Sequence, residues 1–364
     1  MKKILSLLII AALLLSGCST AAPAAETRTI TDQDGFEVVV PSQINRIVVC
    51  DILPLPSVLA VFFDSAEKIV GMSGTSMNAA ENSLLGQLYP EILEAETGFI
   101  NGTTVNAEEL MKLQPDVVFY NASRKELGEN LRRAGFPAVA ISVNKWDYNC
   151  IETLNQWIAL LSQMFPDNDK AELVKTHSEA MYTLVQERVA AIPETEKEDV
   201  FFLYQYSDTN LQTSGGKFFG QWWCDAIGAK NAAAELTTDN AVSVNLEQIY
   251  AWNPSLIFIS NFTTANAEDL YNGTVGNDNW SAIRAVQNKN VHKMPLGMYR
   301  SFTPGVDTPV TLLWLAKTAY PDLFADIDII AETRTYYREV FGIDLTDDQA
   351  ASIFAPAKDA GTGF

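Results

Sequence analysis

One pattern occurs twice in this 364-residue chain and constrains its fold more than any other feature. Residues 105–119 open with Val105-Asn106-Ala107-Glu108, run through Leu110, Met111 and Leu113 to Pro115, and end in Asp116-Val117-Val118-Phe119. Residues 244–258 repeat the plan with Val244-Asn245-Leu246-Glu247, then Ile249 to Trp252, Pro254 and Ser255-Leu256-Ile257-Phe258. The glutamate precedes the proline by seven residues in each copy. Asparagine is a good helix N-cap, proline cannot continue a helix, and a short apolar run after it reads as a buried strand. Each half of the chain therefore carries the same helix, stop and strand, and two pseudo-equivalent lobes are expected.

The surrounding sequence alternates buried runs with amphipathic stretches, the pattern of α/β lobes. Strands are expected at 46–50, 69–72, 116–120 and 138–142 in the first half, with helices at 55–63, 126–134 and 151–165. In the second half, strands are expected at 200–204, 256–260 and 290–294, and helices at 220–227 and 308–320. Between the halves, 167–192 reads as one helix bounded by Pro166 and Pro193. Leu173, Val174, Met181, Leu184, Val185 and Val189 recur along it at helical spacing. The architecture expected is two Rossmann-like α/β lobes joined by this single long helix, with a ligand cleft between them. A stiff connector implies that closure on ligand is a small rotation. The first lobe is assigned to 29–165, the connector to 166–193, the second lobe to 194–330, and a C-terminal helix and tail to 331–364. The tail beyond Ala355 is expected to fray.

The ends bound where the protein works. Lys2 and Lys3 precede an apolar run from Ile4 to Leu15, followed by Ser16-Gly17-Cys18. Twelve residues, all apolar but Ser6, are too few to span about 30 Å of hydrocarbon as a helix, and fit a signal peptide over 1–17. Small residues directly before Cys18 resemble a bacterial lipobox, which makes Cys18 the lipidation site and 18–28 a lipidated tether. Formal charge is −20, from 25 basic and 45 acidic residues. So acidic a surface excludes nucleic acid as partner, since phosphate binding needs clustered cations. Contact with the bilayer is expected through the Cys18 anchor only.

Cysteine and histidine usage argues against a metal centre. Cys50, Cys150 and Cys224 follow Cys18 at spacings that match no metal motif, and read as buried thiols or as a Cys50–Cys150 disulfide with one left over. His177 and His292 are the only histidines, and neither lies near another strong ligand in sequence. Enzymes are disfavoured for a related reason. There is no G-x-S-x-G, H-E-x-x-H or G-x-x-x-x-G-K-[ST], and Thr213-Ser214-Gly215-Gly216-Lys217 lacks the first glycine of a P-loop. Glu108 and Glu247 cannot be a glycosidase pair about 5–10 Å apart if each belongs to its own lobe.

The echo, the opening run Thr31 to Pro41 leading into Arg46-Ile47-Val48-Val49, the segment Ala226-Ile227-Gly228-Ala229-Lys230-Asn231, and Trp280 to Lys293 together resemble one family. The chain is similar, over about Thr29 to Phe324, to class III substrate-binding proteins of ABC transporters, which serve ferric siderophores, haem and cobalamin. The resemblance implies a monomeric extracytoplasmic solute-binding lipoprotein without catalytic residues or cofactor. It would deliver a metal-chelate small molecule, such as an iron siderophore, to the membrane subunits of an importer. Haem, a corrinoid, a small oxyanion and a transport-independent surface role are the alternatives. It also implies that Glu108 and Glu247 dock onto arginines of those subunits. Both glutamates have a local explanation as well, since a carboxylate near an N-cap favours the positive end of the helix dipole.

Bilobed binders hold ligand with loops at the strand ends of both lobes. Those loops concentrate aromatic and cationic side chains. Arg124, Trp146, Tyr148, Tyr206, Lys217, Tyr299 and Arg300 are the candidates, because flat rings suit a chelate and Arg or Lys suit an anion. No metal ligand is singled out.

Overall fold

The computed structural model describes residues 26–168, 170–276 and 278–363. The expected signal peptide, Cys18 and most of the expected tether lie outside these residues. An antiparallel hairpin opens the described chain, pairing Thr27–Thr31 with Glu37–Pro41.

Both lobes then build the same three-strand unit. In the first, Ile47–Val49 pairs in parallel with Val117–Asn121, which pairs in parallel with Ala138–Ile141. Ile69–Gly71 closes the other edge as a fourth strand. In the second, Asp199–Ser207 pairs in parallel with Leu256–Ile259, which pairs in parallel with Val291–Lys293. The echoed strand holds the middle of the unit each time. All of these strands are largely buried, as expected when helices cover both faces of a parallel sheet. The second sheet is wider: the first strand continues into a hairpin with Asn210–Ser214, and Ala241–Ser243 and Lys230–Asn231 add to it. Residues 205–214, beyond the strand expected at 200–204, extend it and form this hairpin.

Helix Lys170–Val189 spans the junction. Its Val174 packs into the core of the first lobe, and Val185 and Val189 pack into that of the second. Helices Cys150–Met164 and Thr308–Ala319 flank it. The connector is slightly shorter than its sequence pattern.

The C-terminal region departs from expectation. Past the second lobe, helix Ile329–Tyr336, the turn Tyr337–Phe341 and helix Asp347–Ile353 return to the first lobe. There Tyr336, Tyr337, Val340, Phe341, Leu345 and Ile353 share one buried cluster with Ile47, Val117 and Trp157. Nor does the segment beyond Ala355 fray. Lys358–Gly361 forms a turn of 3-10 helix whose Ala360 and Gly361 are buried. A Cβ on Gly361 would meet the Thr263 carbonyl oxygen at 2.0 Å, so the close approach requires glycine.

Candidate ligand cleft and docking face

The cleft is built from the carboxyl ends of the parallel strands, where open α/β sheets place their ligands. At the junction, Leu53, Val143 and Tyr148 of the first lobe pack against the core of the second, and Asn78 bonds to Arg300. Tyr204, Phe262, Tyr299 and Phe302 belong to that core, and Phe218 packs against it. In the second lobe Tyr204 packs its ring on Phe262 at 5.1 Å and on Phe302 at 5.5 Å, a wall of aromatic side chains.

Arg300 lies at the seam and is 1% exposed. Its guanidinium donates to Asn78 Oδ1 across the lobes at 3.1 Å and to the Thr362 carbonyl at 2.8 Å, and sits 5.2 Å from the Phe262 ring centre. Burial pulls its pKa down, opposed by the neighbouring Tyr299 and Tyr204. Burial pushes the Tyr299 hydroxyl up, and Arg300 counters it. Ser301, next in sequence, is buried and its hydroxyl has no hydrogen-bond partner among the described residues. Lys293, at the end of its strand, donates to the carbonyls of Thr263 and Ala265 at 2.6 and 2.7 Å. Burial lowers its pKa to about 7, and Arg300 pushes the same way.

The loop that carries Arg300 is fixed from behind. Asp307, 2% exposed, accepts from the Met298 amide at 2.7 Å and from the Tyr337 hydroxyl. A Cβ on Gly297 would meet its carboxylate at 2.0 Å. Burial raises the Asp307 pKa to about 6. The loop also ties to the first lobe, where the Leu84 amide donates to the Gly297 carbonyl at 3.0 Å.

Trp146, Tyr148 and Lys217 come together elsewhere along the same interface. They line a cavity of about 720 Å³ with Trp222, Phe218 and Asp239. Tyr148 bridges the lobes, since its hydroxyl donates to the Asp239 carbonyl at 2.6 Å and its ring meets Phe218 and Phe219 edge-on at 5.3 and 4.9 Å. Two sequence candidates lie apart. Arg124 pairs with Asp51 at 2.9 Å and donates to the Thr103 carbonyl, lining a separate cavity of about 570 Å³ beside the Glu108 helix. Tyr206 is 4% exposed inside the second lobe, bonded to the Val275 carbonyl, to Asp278 and to the Trp280 indole. Its ring serves as a core hub. The reason is the longer strand 199–207, which carries Tyr206 into the sheet instead of a loop.

Sequence reasoning did not single out Asn78 or Tyr204. Asn78 sits in helix Gly74–Glu81, just after strand Ile69–Gly71, but a neutral asparagine carries no signal of its own. Glu108 and Glu247 are both exposed, each in the first turn of its short helix. Asn106 accepts from the Glu108 amide at 3.0 Å, and Asn245 accepts from Gln248 at 2.9 Å. The three described cysteines are free and buried, so Cys50 and Cys150 form no disulfide. His292 meets Asn290 at 2.9 Å, and His177 stands 4.0 Å from Glu339. Among the described residues no cluster of side chains fits a metal ion, and no helix is long and apolar enough to cross a membrane.

A family model described as periplasmic binding protein matches residues 54–296. The chain belongs to that family. Within it, the resemblance is to the class III substrate-binding proteins of ABC importers, whose members bind solutes and do not turn them over. The molybdate-binding protein MolA of Haemophilus influenzae is 30% identical over 374 residues, covering 96% of this chain and 99% of its own. The molybdate-bound structure of MolA superposes with a TM-score of 0.74 at 26% identity, over 88% of this chain and 99% of that one. A periplasmic solute-binding protein of Veillonella parvula gives a TM-score of 0.78 at 30% identity, covering 91% and 97% of the two chains.

Proposed function

We propose that the protein is a Cys18-anchored, extracytoplasmic binding protein that presents a compact oxyanion to an ABC importer. Arg300 carries this reading. A guanidinium held where two lobes meet, away from water, suits a small anion that accepts several hydrogen bonds at once. The adjacent Ser301 hydroxyl and the phenols of Tyr204 and Tyr299 are further donors for such a ligand. The likeness to a molybdate binder supports the same class. The lipid anchor rests on the run that ends at Cys18, and docking rests on Glu108 and Glu247, one at an equivalent place in each lobe.

An iron chelate, the class favoured by sequence alone, remains as a second reading on one observation. The 720 Å³ cavity sets Trp146, Tyr148 and Trp222 beside Lys217, which suits a flat, bulky anion. Titration of the soluble chain starting after Cys18 separates the two. Calorimetry with molybdate, tungstate, sulfate, ferric citrate, a ferric siderophore and haem is the measurement. Micromolar or tighter binding of a tetrahedral oxyanion supports the first reading. Binding of a chelate alone, with oxyanions silent, overturns it.

A further inference from the structure

We propose that residues 358–363 act as an internal strap, tying the two lobes together and competing with the ligand for Arg300. The competing half rests on the oxyanion reading; the tying half does not.

Three sets of contacts carry the proposal. At its far end the strap engages both lobes: Thr362 offers its carbonyl to Arg300 at 2.8 Å, and its hydroxyl oxygen accepts from Asn78 Nδ2 at 2.9 Å. Asn78 Oδ1 completes a triangle by accepting from Arg300 at 3.1 Å. One strap residue thus fills a guanidinium position and an amide position that belong to different lobes. At its near end Lys358 pairs with Asp269 of the second lobe at 3.0 Å. Between the ends, Ala360 and Gly361 are buried, with Gly361 at the Thr263 carbonyl of the second lobe.

Local chemistry shapes the segment for this position. Thr362 folds back on the turn, its amide and hydroxyl both donating to the Asp359 carbonyl at 3.0 and 2.7 Å. That turn leaves the Thr362 carbonyl free to accept from Arg300. A carbonyl oxygen is a neutral acceptor, weaker toward guanidinium than an anionic oxygen. It is therefore a contact that an oxyanion can displace. While it persists, it reduces the fraction of molecules able to take ligand, and lowers apparent affinity by that fraction.

The test compares the chain starting after Cys18 with the same chain ended after Ala357, and with full-length Lys358→Glu, which sets two carboxylates against each other. Hydrogen exchange of helix 74–81 reports the tie without any ligand. Molybdate calorimetry reports the competition. Exchange should be faster by about tenfold on truncation and by less in Lys358→Glu. Molybdate affinity should rise about threefold or more. Unchanged exchange in both variants overturns the tie, and unchanged affinity where molybdate binds overturns the competition. If molybdate binds no form of the protein while exchange still quickens, the tie stands and the oxyanion reading fails. Lys358→Glu retains the whole chain, so misfolding of the truncated form leaves the question answerable.

Discussion

Arg300 of the second lobe donates to Asn78 of the first at 3.1 Å, so the cation proposed to hold ligand also holds the lobes. Removing the guanidinium should therefore affect two properties. Arg300→Leu is expected to weaken oxyanion binding about a hundredfold, the scale of one lost charge-assisted hydrogen bond. Arg300→Lys keeps the charge but loses the fork, and should fall between. Calorimetry on folded variants checks this, and wild-type affinity in Arg300→Leu would remove Arg300 from the site.

The exposed glutamates should separate docking from binding. Glu108→Ala combined with Glu247→Ala is expected to abolish uptake through the importer while leaving the solution affinity for ligand intact. Exposed charges of this kind steer encounter with a partner more than they stabilise a fold. An equal loss of ligand affinity in the double variant would place both residues in the cleft instead.

Asp307 should give the protein a pH-dependent stability. Its folded-state pKa of about 6 lies above the 3.8 of a free carboxyl, so the folded state holds the proton more tightly between those values. That contribution is complete below about pH 4 and is lost as pH rises through 6, on the order of 3 kcal/mol in all. Urea unfolding at pH 4, 5, 6 and 7 should show Asp307→Asn gaining on the wild type as pH rises. A constant difference across that range would mean that folding does not raise the Asp307 pKa.

Gly297 should be intolerant of any side chain. The Cβ of Gly297→Ala would meet the Asp307 carboxylate at 2.0 Å, so the loop carrying Arg300 must shift. A loss of about 1–3 kcal/mol in unfolding free energy is expected, accompanied by weaker ligand binding. Full stability and full binding in that variant would show that the loop relaxes at no cost.

Thiol titration checks the cysteines. In the chain starting after Cys18, the three buried thiols should resist Ellman's reagent in the native state and all react after unfolding without reductant. Burial raises the pKa of each, which keeps the reactive thiolate scarce. Only one reactive thiol after unfolding would mean that two are paired.

Much of this architecture can be read from the chain alone, and the failures have physical causes. Strands such as 117–121 and 256–259 are apolar runs that follow a helix-stopping proline, a local signal that tertiary context leaves intact. The extension and return arm at 205–214 are not legible because Gln205, Ser207 and Gln212 interrupt their apolar pattern, and pairing between neighbouring strands stabilises them instead. Tyr206 was assigned to the cleft for the same reason. Arg124 is a ligand candidate in sequence because nothing there marks Asp51 as its partner. Arg300 was legible as a charge in a strand-end loop. Its link to Asn78, 222 residues earlier, depends on how the lobes meet. The order beyond Ala355 was also hidden, since glycine and alanine there reflect close packing and not slack.

The return of residues 329–353 to the first lobe has a consequence for how the molecule comes to be folded. The core around Ile47 and Val117 is completed by Tyr336, Phe341 and Ile353, at the other end of the chain. A nascent first lobe ending near residue 165 lacks that side of its interior and has no complete core to collapse around. Contacts this distant in sequence slow folding, because a long loop must close before they form. A polypeptide built in this way completes the core of its first lobe only once residues 329–353 are available to pack there.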